Sequence, residues 1–543
     1  MIFSDEFKDG VFYGKQDFNI PYHMNFGAFI VENILNYREK IVLINGVTGE
    51  EITYREFAQR VVNTADSLTH LGVDVGDVVG VFSENRIEFI LTACAVFCVG
   101  ATVTFFNTSY GESELSHAIN ISKPKYIFLS GTACDSHYEN LQKHKMIRKY
   151  ILYDDRGSSR SQNVVYFKDL VKCKVDLNLY KPVHLGGRIL TSMILYSSGT
   201  TGPAKGAKIT NLNLITSAHQ PPPSKRDLIA LSISPWCTCM GIATLLNAII
   251  HGKTTVFLTR FNEKQFLQTI ETFKIGFILV PPPLLLMLCK SELAKTFDLS
   301  SIEVLSSGGA TTNLEVINQI KTRFPQIKCV LQGYGMTEAT GAVTYDTEEN
   351  PREGSVGKVV PGIIQKIVDP DTGKVLGYRE PGEICIKGPV VFEGYIRNNS
   401  SSNLYPDGFY RTGDIGYYDE EGYFYIIDRI KELIKYNAWQ VSPSELEALL
   451  LKHDDIKDAA VIGAPDSSAG ELPTAFIVKK ENSLITDTEI LEFVDNKVAS
   501  WKKLRGGVIF VDSIPKNPSG KILRRQLKQL LVDKRKGKSQ SKL

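Results

Sequence analysis

The sequence predicts a layered α/β protein in two parts. Three observations carry that prediction. Short apolar strand-like runs alternate with helical stretches along most of the chain. Its 543 residues exceed the roughly 100–200 typical of one domain. The texture changes after about residue 345, where Gly, Pro and alternating β-branched residues take over.

The elements follow in order. Leu68 to Phe82 reads as the end of a helix, a Gly-Val-Asp-Val-Gly-Asp turn and the strand Val78-Val79-Gly80-Val81-Phe82. Phe89 to Phe106 has no charge over 18 residues, which meets the length of a membrane span. Its threonines, Thr92, Thr102 and Thr104, and the interrupting Gly100 instead suggest a buried helix, a break and a short buried strand. Tyr126-Ile127-Phe128-Leu129 and Phe277-Ile278-Leu279-Val280 read as further buried strands, the second ended by Pro281, Pro282 and Pro283 before an apolar helix. Val360 to Tyr395 suggests a small β-structure, and Ile415 to Ile427 a hairpin. After Asp428-Arg429-Ile430-Lys431 come helix and strand patterns such as Glu445–Leu450 and Asp458–Gly463. The predicted division is residues 1–427, a junction at 428–431, a compact domain at 432–540 and a terminal tripeptide at 541–543.

Composition excludes several classes. With 62 Lys plus Arg against 60 Asp plus Glu, the net charge of +2 leaves no electrostatic footprint for nucleic acid. Ordinary apolar and charged fractions exclude wholesale disorder. The nine cysteines are scattered, with no C-x-x-C pair, which suggests reduced thiols rather than disulfides or a zinc module. The first residues lack the charged-then-apolar pattern of a secretory signal. Ser541-Lys542-Leu543 spells a peroxisomal import signal after a polar tail, Asp533 to Gln540. The expected location is therefore the peroxisome and the expected protein partner its import receptor, with no membrane span.

One motif dominates the chemistry. The apolar run Met193-Ile194-Leu195 leads into Tyr196-Ser197-Ser198-Gly199-Thr200-Thr201-Gly202-Pro203-Ala204-Lys205-Gly206. Gly199 and Gly202 can take backbone angles that let successive amides curl around an anion. The hydroxyls of Ser197, Ser198, Thr200 and Thr201 add donors, and Lys205 adds charge. That combination suits a polyphosphate, although it is not a G-x-x-x-x-G-K-[ST] loop. G-x-S-x-G, H-E-x-x-H and G-x-G-x-x-G are all missing from the sequence.

The loop resembles the phosphate-binding signature of the adenylate-forming superfamily, which includes acyl-CoA synthetases, 4-coumarate–CoA ligases and beetle luciferases. Further motifs stand in the same order: Ser307-Gly308-Gly309-Ala310, Gln332 to Glu338, Gly382 to Gly388, Tyr410-Arg411-Thr412-Gly413-Asp414, Asp428-Arg429-Ile430-Lys431, and Pro515 to Lys521. Together with Leu433-Ile434-Lys435-Tyr436, they make the chain most similar to the insect luciferase-like and 4-coumarate–CoA ligase-like branch. The resemblance implies a small β-barrel within the N-terminal region and a C-terminal domain that turns at Lys431.

It also implies roles. Gly333, Tyr334, Gly335 and Met336 would flank an adenine, with Tyr334 stacking on it and Gly309 and Ala310 on the other side. Thr337 would contact phosphate. Glu338 would hold Mg²⁺, a hard cation that prefers oxygen ligands. Asp414 would accept from ribose hydroxyls, and Arg429 would contact ribose or phosphate. Lys521 would stabilise charge as a carboxylate attacks the α-phosphate of ATP. Lys435 would serve a second step after domain rotation. Trp236, Thr238, Met240, Gly241 and Gly341 would line the acyl pocket.

Two departures stand out. Thr238 occupies the position of a family His, and Ala438 stands where the family usually has Gly, before the aromatic Trp439. The first could reshape the acyl entrance, the second narrow a pantetheine tunnel. Three readings result: an ATP-, Mg²⁺- and CoA-dependent ligase for a fatty or aryl carboxylic acid, a luciferase consuming O₂ and a luciferin, and a catalytically weak acyl or nucleotide binder.

Overall fold

The computed structural model describes residues 6–15, 20–21, 24–155, 163–186, 189–197, 204–310, 312, 314–397, 403–437, 439–466, 468–517 and 520–540. Two large sheets organise the N-terminal region. The eight-stranded sheet has a parallel centre, Thr191–Ser197, Thr102–Phe106, Val78–Phe82, Tyr126–Leu129, Lys149–Leu152 and Val164–Tyr166 in that spatial order. Lys205–Thr210 returns antiparallel beside Thr191–Ser197.

The nine-stranded sheet repeats the plan. Its parallel series runs Ile41–Asn45, Thr255–Phe257, Ala230–Ser232, Phe277–Val280, Val304–Ser307 and Cys329–Met336. Gly341–Tyr345 then returns antiparallel. In both sheets the return begins at the carboxyl end of the last parallel strand, the end where open α/β sheets bind ligands.

The uncharged stretch is a helix, Ile87–Cys98, followed by the strand Thr102–Phe106. Every helix residue except Glu88 is buried. Gly100 makes the break at φ +69°, a conformation that disfavours a side chain. Among the described residues, no helix is long and apolar enough to cross a membrane. This helix shares one core with Phe26–Ile34, Tyr54–His70 and Cys239–Ile250. All nine cysteines are free thiols.

The β-rich part is a six-stranded antiparallel sheet that includes Ile364–Val368, Gly382–Lys387, Tyr410–Tyr418 and Phe424–Arg429. It takes the place of the expected small barrel, because its outer strands, Glu6–Lys8 and Phe424–Arg429, are not paired with each other among the described residues. Alternation in sequence specifies strands, whereas closure also requires matching tilt and register.

The next strand, Ile434–Tyr436, belongs to a different, five-stranded sheet with Trp439–Val441, Gly470–Lys479, Ile456–Asp466 and Val508–Phe510. Its own apolar core includes Ile434, Leu446, Val461 and Ile477. The polar tail from Asp533 continues the helix Arg524–Gln540.

Candidate active site

The antiparallel returns of the two large sheets adjoin each other, the turn Thr337–Ala339 contacting the strands Thr191–Ser197 and Lys205–Thr210. Ser197 and Lys205 face each other across the first return. Ser198, Gly199, Thr200, Thr201 and Gly202 lie outside the described residues. Lys205 is exposed, its ammonium 4.9 Å from the ring centre of Tyr395. The Tyr395 hydroxyl donates to Glu338 Oε1 at 2.6 Å. Burial, then the Glu338 charge, pushes the Tyr395 phenol upward, so it stays a donor. Tyr395 was not legible as a site residue: it stands in no motif, and only pairing of Gly394–Tyr395 against Ala207 and Lys208 brings it there.

The second return holds Glu338. The turn Thr337–Ala339 is pinned by the Phe392 amide donating to the Glu338 carbonyl at 2.9 Å and by Thr340 Oγ1 donating to Val390 O at 2.7 Å. Gly335 is dictated by the close return strand: a Cβ there would stand 2.3 Å from Gly341 O. Gly308 lies beside Gly333, since its Cβ would be 3.3 Å from Gly333 O. Gly309 turns at φ +84° facing Met240, and Ala310 is exposed next to it. The Met336 sulfur lies 3.9 Å from the Tyr334 hydroxyl.

Tyr334 does more than present a ring. Its hydroxyl donates to Asp414 Oδ2 at 2.6 Å. Arg429, opposite Asp414 in the hairpin register, reaches Asp414 Oδ1 through Nε at 3.0 Å. Asp414 is buried, 4% exposed, and burial lifts its carboxyl above the usual range. Arg429, Tyr334 and Lys521 oppose that rise. These strands thus bring Tyr334, Asp414 and Arg429 into one group, joined by a hydrogen bond and an ion pair.

The C-terminal lysines separate. Lys521 feels the charges of Arg429 and Asp414; its ammonium is 3.8 Å from Glu432 Oε1, and its backbone is held by Asn517, whose Oδ1 accepts the Lys521 amide at 2.8 Å. Gly520, at φ +81°, packs close to Pro283. Lys435 is exposed on Ile434–Tyr436, and its amide donates to Glu471. No contact joins the Lys435 side chain to Asp414, Glu338 or Lys521 among the described residues.

Of the residues expected in the acyl pocket, Trp236 lies in the core, and Thr238 and Gly241 carry local structural roles. Trp236 faces the core, fully buried against Phe89 and Phe257, with its indole N–H donating to Ser232 Oγ at 2.9 Å. A large apolar ring whose one polar atom is satisfied belongs inside. Thr238 is the N-cap of Cys239–Ile250: its Oγ1 accepts the Gly241 amide at 3.2 Å and donates to Pro235 O at 2.7 Å. Gly241 is set by the same turn, since a Cβ would lie 2.2 Å from Pro235 O. Met240 is half-buried, its sulfur facing Gly309. Gly341 sits beside Ala243 and Ser217, which with Cys239, Leu246 and Thr340 line a cavity of about 10 Å³. That is room for about one water. Burial pushes the Cys239 thiol up to about 12, so it is a packing group.

Glu338 satisfies the chemistry of a Mg²⁺ ligand. Mg²⁺ is usually held by one or two carboxylates together with substrate phosphates. Glu338 is a buried carboxylate beside the return of the phosphate-type loop, and no group of three or more metal-type ligands occurs among the described residues.

Comparison with known proteins agrees with this arrangement. The family model for AMP-binding enzymes matches residues 31–396, and that for the AMP-binding enzyme C-terminal domain matches residues 445–521. The chain is 36% identical to luciferin 4-monooxygenase of Photinus pyralis over 496 residues, 90% of each chain. It is 34% identical to a probable 4-coumarate–CoA ligase 2 of Dictyostelium discoideum, covering 92% of this chain and 94% of the other. ATP-bound MatB from Rhodopseudomonas palustris superposes with a TM-score of 0.81 at 26% identity, covering 93% and 99%.

Proposed function

The chain belongs to the AMP-binding enzyme family, and from that premise we propose that it is an AMP-forming ligase joining a fatty or aryl carboxylic acid to CoA. One observation supports this most: the Lys521 charge acts on the buried Asp414 carboxyl, which Tyr334 and Arg429 also hold, although the two residues lie far apart in sequence. In the first step a carboxylate oxygen attacks the α-phosphorus of ATP, and the bond to pyrophosphate breaks. Negative charge grows on the α-phosphate oxygens. Lys521 supplies a fixed counter-charge there, and preorganised donors of this kind dominate such catalysis. Asp414 takes the ribose hydroxyls while Arg429 offsets its buried charge. Glu338 would hold Mg²⁺, which neutralises phosphate charge.

In the second step the CoA sulfur attacks the acyl carbon, and AMP leaves. The C-terminal domain turns about residues 428–431 and brings Lys435 to the site. Ser541-Lys542-Leu543, outside the described residues like Ala438, is proposed to direct the protein to peroxisomes through their import receptor. A second reading rests on the 36% identity to a luciferin 4-monooxygenase: the same adenylation step followed by oxidation with O₂ and light. Pyrophosphate release over a panel of carboxylic acids, with and without CoA and with light recorded in parallel, tests both. CoA-dependent thioester formation supports the ligase. Light from a luciferin with no thioester from any acid supports the alternative. Release from no acid leaves neither reading standing.

A further inference from the structure

We propose that Glu432 is the positioning residue for Lys521, an inference that rests on the adenylation reading above. Glu432 is the first residue beyond the 428–431 junction, and its side chain is 9% exposed. Its two carboxylate oxygens have unlike surroundings. Oε2 accepts from Arg524 Nε at 3.0 Å. Oε1 is buried, has no hydrogen-bond partner among the described residues, and lies 3.8 Å from Lys521 Nζ. A buried carboxylate oxygen without a donor is unfavourable, and the Lys521 ammonium is the cation that compensates it.

The carboxylate is itself anchored. The Arg524 guanidinium donates to both oxygens of Glu447 and to Val461 O at 3.3 Å. Glu447 in turn accepts the Val461 amide at 2.8 Å. Glu432 is therefore tied through Arg524 to the helix Pro443–Leu450 and the strand Ile456–Asp466. Asn517 fixes the Lys521 backbone while Glu432 restrains its far end. At 3.8 Å the pair is an ion pair without a hydrogen bond, so the ammonium keeps donors for a phosphate.

The charges facing Lys521 come from both sides of the junction. Arg429 and Asp414 stand on the hairpin, and Glu432 and Arg524 on the C-terminal side. Burial first, then Arg429, pushes the Lys521 ammonium below the ordinary lysine range, while Glu432 and Asp414 hold it up. If the domain turns at 428–431, Lys521 leaves Arg429 and Asp414 but keeps Glu432. The carboxylate thus travels with the lysine it orients.

The test uses the full-length chain as wild type, Glu432→Gln and Glu432→Asp. Competitive amine labelling across pH, read by mass spectrometry, gives the titration midpoint of Lys521, with Lys435 as internal reference. In Glu432→Gln the Lys521 midpoint moves to lower pH while that of Lys435 stays. Pyrophosphate release loses about tenfold in kcat with KM for ATP unchanged, about 1.4 kcal/mol of barrier. Its alkaline limb moves to lower pH, and Glu432→Asp regains most of the rate. An unmoved Lys521 midpoint in Glu432→Gln overturns the proposal. So does a rate loss that Glu432→Asp shares fully at an unchanged pH profile. If no acid releases pyrophosphate from wild type, the adenylation reading fails, and the labelling midpoint still decides whether Glu432 governs Lys521.

Discussion

Removing the Thr238 hydroxyl should loosen the start of the helix Cys239–Ile250 before it alters any acyl preference. Thr238→Ala deletes two interactions: the cap on the Gly241 amide at 3.2 Å and the bond to Pro235 O at 2.7 Å. An N-cap Thr is worth about 1 kcal/mol, and a second hydrogen bond contributes about 1 kcal/mol net. The expected loss is therefore about 2 kcal/mol. Spread over the N-terminal region at about 2.1 cal/mol/K per residue, that moves Tm by only about 2 °C. Native-state hydrogen exchange on the peptide spanning Thr238 to Ile250 is the sharper assay. A loss of 1–2 kcal/mol corresponds to a roughly 5–30-fold drop in local protection. Thr238→Ser keeps both bonds and should exchange like wild type. Thr238→His loses the cap and adds bulk, so it should show the same loosening plus a kcat/KM penalty weighted toward bulky acids. If Thr238→Ala exchanges at the wild-type rate, the hydroxyl does not hold the helix start and the capping argument is wrong.

Lys521→Ala should slow pyrophosphate release by about 10²–10³ yet still accept a synthetic acyl-adenylate, whereas Lys435→Ala should show the reverse. Equal impairment of one half-reaction by both would refute the division of labour. Burial first, then Lys253 and His219, pushes the His251 imidazole down to about 4 from an ordinary value of about 6.5, while its Nε2–H donates to Gln220 O at 3.0 Å. Between those values the unfolded chain binds the extra proton. Stability is therefore full above about 6.5 and falls by up to about 3 kcal/mol as pH drops toward 4. Denaturant midpoints at pH 7 and pH 5 should differ less in His251→Gln than in wild type. Deleting Ser541-Lys542-Leu543 should leave activity in vitro intact and move the protein to the cytosol, as fluorescence microscopy of a tagged chain would show.

What the sequence determined by itself is local or collinear. Apolar runs marked the strands Tyr126–Leu129 and Phe277–Val280 because a buried strand needs only its own side chains to declare it. Gly100 declared the end of a helix because few other residues take its backbone angle. The ordered motifs from Ser197 to Lys521 carry the family membership because they are collinear. The Thr238 cap is also local, a Thr before an apolar run. Pairings between distant segments were decided only by tertiary structure. A family resemblance places a residue in a segment but does not say what covers its side chain, so Trp236, expected at the pocket, lies in the core. Tyr395 reaches Glu338 because strand pairing carries it there, and Glu432 meets Lys521 because the C-terminal sheet folds their segments together. Such contacts depend on loop closure and sheet register, which no short window of sequence encodes.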